Sequence, residues 1–101
     1  MERGLSDFLS GMKNLVCLDL SENEHLRGAS SFNKLPSSLK HLNLEMCYRL
    51  ESKALQMIAE RCPDLEVLNI HRDDLLSPLA LNVLFSNLKK YVIFFGKSIA
   101  F

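Results

Sequence analysis

Residues 39–44 read Leu39-Lys40-His41-Leu42-Asn43-Leu44, and Cys47 follows three positions on. The pattern occurs again as Leu15-Val16-Cys17-Leu18-Asp19-Leu20 with Asn23, and as Leu65-Glu66-Val67-Leu68-Asn69-Ile70 with Asp73. A weaker copy is Leu88-Lys89-Lys90-Tyr91-Val92-Ile93 with Gly96. The four blocks start 24, 26 and 23 residues apart. Such a spacing is the mark of a stacked array in which each unit buries its apolar face only against its neighbours. Within a block, the fourth and sixth residues fall on the same side of an extended strand, so both point into a core. The first residue enters that core from the preceding turn. The ninth turns the chain out of the sheet, where a buried Asn bonds loop backbone and a Cys fills the space as a small hydrophobe. Asp73 and Gly96 are unconventional there, so the third and fourth turns are expected to be irregular. The strands are expected near 16–20, 40–44, 66–70 and 90–94.

Between the blocks lie helical returns. In Ser52–Cys62, Leu55, Ile58, Ala59 and Cys62 recur at spacings of three and four, with Ser52 as the expected N-cap and Pro63 as the stop. In Pro78–Phe85 the stripe is Leu81, Leu84 and Phe85, capped by Ser77 ahead of Pro78. Leu5, Phe8, Leu9 and Met12 form one face of a first helix. The return over 24–38 is less periodic, with Phe32 and Leu35 as its anchors and Pro36-Ser37-Ser38 as the turn into the next strand. Four strands about 4.8 Å apart make a parallel sheet ~14–15 Å wide, backed by helices, with two edges to cover.

The unit over 39–65, with Leu39, Leu42, Leu44, Cys47, Leu50, Leu55, Ile58, Ala59, Cys62, Pro63 and Leu65, resembles the cysteine-containing leucine-rich repeat of F-box substrate receptors of ubiquitin ligases. The general repeat resemblance covers about residues 5–95; Asn23 and Asp73 stand where the subtype has Cys. The resemblance implies an α/β fold: a short right-handed solenoid of about four repeats in one domain, 1–101. The parallel sheet would form its concave face and helices its convex face. It also implies a non-enzymatic module that binds a protein partner, with a substrate-recognition role in an SCF-type ubiquitin ligase. No F-box-like helical module is evident in the sequence, which favours partner binding over adaptor contact. The alternative is a structural or assembly subunit packed by its edges and helices in a larger complex.

The composition narrows the classes. The chain has 101 residues, 48% of them hydrophobic, and equal numbers of basic and acidic side chains, 12 each. That is enough apolar matter for one modest domain and too little net charge for a nucleic-acid coat. The charges are unevenly placed. Residues 75–101 hold Lys89, Lys90 and Lys97 and no acid, while residues 1–74 carry the acidic excess. No apolar run approaches the ~20 residues of a membrane span, and no secretory signal opens the chain. Three widely spaced Cys do not make a disulfide framework. The expected location is intracellular, cytoplasmic or nuclear, with a mitochondrial one left open by related arrays.

Strand alternation places four rows on the open sheet face: Cys17, His41, Val67, Lys90; then Asp19, Asn43, Asn69, Val92; then Ser21, Glu45, His71, Phe94; then Glu22, Met46, Arg72, Phe95. The expected partner contacts are His41, Asn43, Glu45, Asn69, His71, Arg72, Lys90, Val92 and Phe94. A mixed polar surface with aromatics at one side suits protein recognition. No cofactor or metal is expected: His41, His71 and Glu45 lie too far apart along the strands to form a zinc set. Asp73-Asp74 reads as a solvated turn pair. No nucleophile and base fall together, and Cys17 has no base placed to activate it. The C-terminal edge is expected to be covered by a partner or by further sequence.

Overall fold

A computed structural model describes residues 2–73, 75–87 and 93–95; for 85, 87 and 93–95 it describes the backbone. The chain is a mixed α/β structure built on one parallel sheet. Its elements in chain order are α1 (Glu2–Ser10), β1 (Cys17–Asp19), a 3₁₀ turn (Phe32–Lys34), β2 (His41–Asn43), α2 (Ser52–Arg61), β3 (Val67–Asn69), α3 (Pro78–Asn87) and β4 (Ile93–Phe95). The sheet order is β1-β2-β3-β4, so sequential strands are neighbours. The return elements pack in the same sequence: α1 on the 3₁₀ turn, the 3₁₀ turn on α2, α2 on α3. Between the two rows lies an apolar core that includes Leu18, Leu42, Leu44, Leu68 and Ile70.

The pairing register puts Cys17 opposite His41 and His41 opposite Val67. Hydrogen bonding runs beyond the three-residue strands. Leu20 N and Glu22 N donate to Asn43 O and Glu45 O, and Leu44 N and Met46 N donate to Asn69 O and His71 O, all at 2.8–2.9 Å. The block leucines are therefore inward because their backbone groups are held in one ladder, not only because they are apolar.

The fourth strand departs from the sequence reading. Val67 pairs with Ile93, Leu68 with Phe94 and Asn69 with Phe95. The strand was expected to align from Leu88, three residues earlier. The reason is the length of α3, which runs to Asn87. Val67 begins six positions after the end of α2 at Arg61, and Ile93 begins six after the end of α3 at Asn87. Phe94 consequently takes the register position of the inward Leu68 instead of the outward row of Glu45 and His71. Lys90 and Val92 lie outside the described residues.

One helix reading also changes. Glu51, not Ser52, is the N-cap of α2. Its N–H is tied to Arg27 O at 2.9 Å, while Ser52 Oγ accepts from Ser77 N. On the apolar face expected of the first helix, Leu9 is buried and Phe8 is 47% exposed. The α3 cap agrees with expectation: Ser77 Oγ accepts from Ala80 N at 3.1 Å.

The irregular return is held from a distance. Glu2 Oε1 accepts from Arg27 N at 2.6 Å and Gly28 N at 3.1 Å, and Ser31 Oγ donates to Glu2 Oε2. Burial alone would raise the Glu2 carboxyl, but the Ser31 hydroxyl and the Gly28 and Arg27 N–H groups outweigh it and hold it below its ordinary value. Asp19 is also lowered, by hydrogen bonds from Ser21 and from the Asn43 side chain. A lowered carboxyl stabilises the fold above its unfolded pKa, and the contribution is lost as pH falls through the folded value. Stability measured by urea melts should therefore fall on acidification below about pH 4.5, and Glu2→Gln should flatten that decline.

Candidate functional site

The outward residues of β1–β3 are fixed by alternation around Leu18, Leu42 and Leu68, which are at most 9% exposed. Cys17, His41 and Val67 form one row, and Asp19, Asn43 and Asn69 the next. Together they line a depression of about 400 Å³ across the open sheet face. Cys17, Asp19 and His41 are exposed; Asn43, Val67 and Asn69 are half-buried. Its lining is mostly apolar surface, with Leu18 and Leu42 beside the six outward residues.

The second row also has a local task. Asp19 Oδ1, Asn43 Oδ1 and Asn69 Oδ1 accept from the N–H two residues on, at Ser21, Glu45 and His71, all within 2.9–3.0 Å. Strands β1, β2 and β3 thus end in the same side-chain-capped turn. Asn69 Nδ2 reaches sideways to Glu45 Oε1 at 3.3 Å. Asn43 and Asn69 are therefore turn builders as well as surface residues. Replacing either with Ala should cost about 1 kcal/mol of stability, read by urea denaturation, whatever it does to binding.

After each such turn comes a residue with left-handed backbone: Glu22 (φ 62°), Met46 (φ 59°) and Arg72 (φ 67°). Non-glycine residues adopt this region at a cost of about 1–2 kcal/mol. Here it directs the following residue inward, to the column of Asn23, Cys47 and Asp73. Asn23 Nδ2 donates to Leu20 O at 2.7 Å, and Cys47 Sγ approaches the same carbonyl at 3.2 Å. Cys47 N donates to Asp73 Oδ1 at 2.8 Å. Asp73 is fully buried, so it is not the solvated turn carboxylate expected from its neighbour Asp74. It fills the ninth position as Asn23 and Cys47 do, and the third turn is as regular as the first two.

Among the other site positions, Glu45 and His71 are half-buried at the strand exits, and Arg72 is exposed beside them. The structure brings His41, Asn43 and Asn69 together in the depression and sets Glu45 against Asn69. It does not bring Phe94 to the His71 row. Sequence reasoning treated Val67 and Cys17 as face residues without choosing them, yet both line the depression. Their signal was the same alternation that selected His41.

The thiols fall into two classes. Cys47 and Cys62 are fully buried, and burial pushes them up to about 11 and about 12. Cys17 is exposed and lies opposite His41, so a ring nitrogen does stand on the neighbouring strand. Among the described residues no hydrogen bond joins the two. Maleimide added to the folded protein should label Cys17 alone, and Cys47 and Cys62 only in denaturant, as read by mass spectrometry. Among the described residues no three His, Cys, Asp or Glu side chains gather as a metal set, and no helix is long and apolar enough to cross a membrane. No protein-family model matches the chain, and no curated protein matches it.

Proposed function

We propose that the protein is a leucine-rich repeat module that binds a partner protein through the open sheet face and performs no chemistry of its own. The observation that carries this reading is the depression formed by Cys17, His41, Val67, Asp19, Asn43 and Asn69. Six side chains from three strands stand there on one hydrogen-bonded ladder, and such preorganisation lowers the ordering cost of binding. A mostly apolar lining that includes the polar side chains of Asp19, His41, Asn43 and Asn69 suits a recognition surface. His41, Asn43, Glu45, Asn69, His71 and Arg72 are the proposed contacts. The spacing of Cys47 and Cys62-Pro63, like that in F-box receptors, supports substrate recognition in a ubiquitin ligase as the setting.

The test is partner affinity measured with His41→Glu and Val67→Glu, each first shown to melt like the parent. Both should weaken binding by roughly tenfold or more. Unchanged affinity for both folded variants would contradict the proposal.

A further inference from the structure

A second concavity lies away from the sheet face, where the returns run into the strands. It encloses about 410 Å³ between the segment after α1, the 3₁₀ turn with the loop behind it, and the end of α2. Each of the three contributes one cation: Lys13, Lys34 and Arg61. Ser10 and Ser37 add hydroxyls. Leu9 and Pro36 in its lining are buried, so the walls belong to the packed structure. Among the described residues no acidic side chain lines this cleft, and none of its residues lines the depression on the sheet.

Three cations without an acid raise the local positive potential. The ion pairs among the described residues join His25 with Glu24 and Lys40 with Glu66; Lys13, Lys34 and Arg61 take no part in them. The dipole of α2 favours a cation at Arg61, but it does not call for the two that come from other elements. The carbonyls that would turn an anion away are engaged. Leu9 O accepts from Met12 N at 3.0 Å, Leu35 O from Arg61 Nε at 3.1 Å and Pro36 O from Leu39 N at 3.2 Å. Lys13 O accepts from Ser38 Oγ at 3.2 Å. The bond to Leu35 O also orients the guanidinium: Nε is used, and the two terminal nitrogens are left to fork onto a pair of oxygens.

We propose that this cleft binds a phosphate monoester. Such a group carries about −1.5 to −2 charges at neutral pH and three strong acceptor oxygens. Arg61 supplies a planar fork, and the two ammonium groups and the Ser37 hydroxyl supply further donors. A carboxylate would leave most of the positive charge unmatched. The volume falls within the ~300–1,000 Å³ of small-ligand pockets, which leaves room for the atoms that carry the phosphate. The proposal does not rest on the sheet-face reading, and the two sites can fail separately.

Amide chemical-shift titration of the full chain by NMR tests it. The probes are O-phosphoserine, serine and acetate at equal ionic strength, and a short phosphoserine peptide with its unphosphorylated form. O-Phosphoserine should shift the amides of Lys13, Lys34, Ser37 and Arg61 and leave those of His41 and Asn69 in place; serine and acetate should not. Lys13 and Lys34 are exposed, so Lys13→Gln with Lys34→Gln should weaken binding roughly tenfold or more with an unchanged melting curve. Arg61→Lys, which keeps the charge and loses the fork, should also weaken it, as should added salt. Tighter binding of the phosphopeptide than of O-phosphoserine supports the proposal with a modified partner protein as the source of the phosphate. Equal or weaker binding of the peptide supports it with a free small molecule as the source. The proposal is overturned if O-phosphoserine gives no localised shifts up to roughly 10 mM, if acetate or the unphosphorylated peptide gives the same shifts, or if the folded Lys variant binds like the parent.

Discussion

Gly28→Ala should destabilise the protein by about 2–5 kcal/mol, and Gly28→Val should leave little folded chain. Gly28 has φ +81°, a region that costs an L-residue about 1–2 kcal/mol. A Cβ there would meet Ala54 Cβ at 2.7 Å, and Leu50 Cδ1 and Phe32 Cε2 at 3.1 Å. Overpacking of this kind costs a further ~1–3 kcal/mol. The position lies where the 3₁₀ turn packs against α2, and Glu2 binds its N–H, so a shift would release two contacts at once. Ala54→Gly removes the nearest atom. The double substitution should be less destabilised than the sum of the single ones, which urea melts of all four proteins will show. Additive losses would place the damage in the backbone alone.

Leu42→Ala should cost about 2–5 kcal/mol, a large part of the ~5–15 kcal/mol that holds a domain of this size. Leu42 is 1% exposed and lies in register between Leu18 and Leu68. Its removal leaves a hole beneath the middle of the candidate site. Where the cost falls in the ~2–5 range is set by how far the surrounding core relaxes into the hole. The urea midpoint should drop while the slope stays close to that of the parent.

How much of this was legible in the sequence varies by element. β1 to β3 fall inside the blocks that begin at Leu15, Leu39 and Leu65, because inward leucine, outward polar and inward leucine is a pattern a half-buried strand imposes. β4 was misplaced by the pull of Leu88 as a block start. The better guide was Ser77-Pro78, which marks the start of α3 and sets a return as long as that after β2. Phe8 has the right period for a core residue. Periodicity shows which face of a helix is apolar, but not whether an element covers it. The left-handed turns at Glu22, Met46 and Arg72 gave no glycine to betray them. They follow from the Asp or Asn three residues before each, whose side chain folds the strand end. Glu2 and Gly28 stand 26 positions apart, and no local pattern joins them.

For the site, alternation alone selected His41, Asn43 and Asn69, and the depression contains all three. It could not show that the two Asn side chains also build their turns, since that depends on backbone direction after the strand. Nor could it show that Asp73 is buried, because an Asp-Asp pair in isolation reads as surface. Register was the missing quantity at β4, and one error of three residues moved Phe94 from an outward row to the Leu68 position.

The claim that the open sheet face is the binding surface is tested most directly by site-specific photo-cross-linking. A photoreactive residue is placed at His41, at Val67, or at Lys53 on the helix side, where the side chain is exposed. Each protein is first shown to fold as the parent does. Positions 41 and 67 should cross-link the same partner, and position 53 should not. Cross-linking from position 53 alone, or from all three equally, would contradict it.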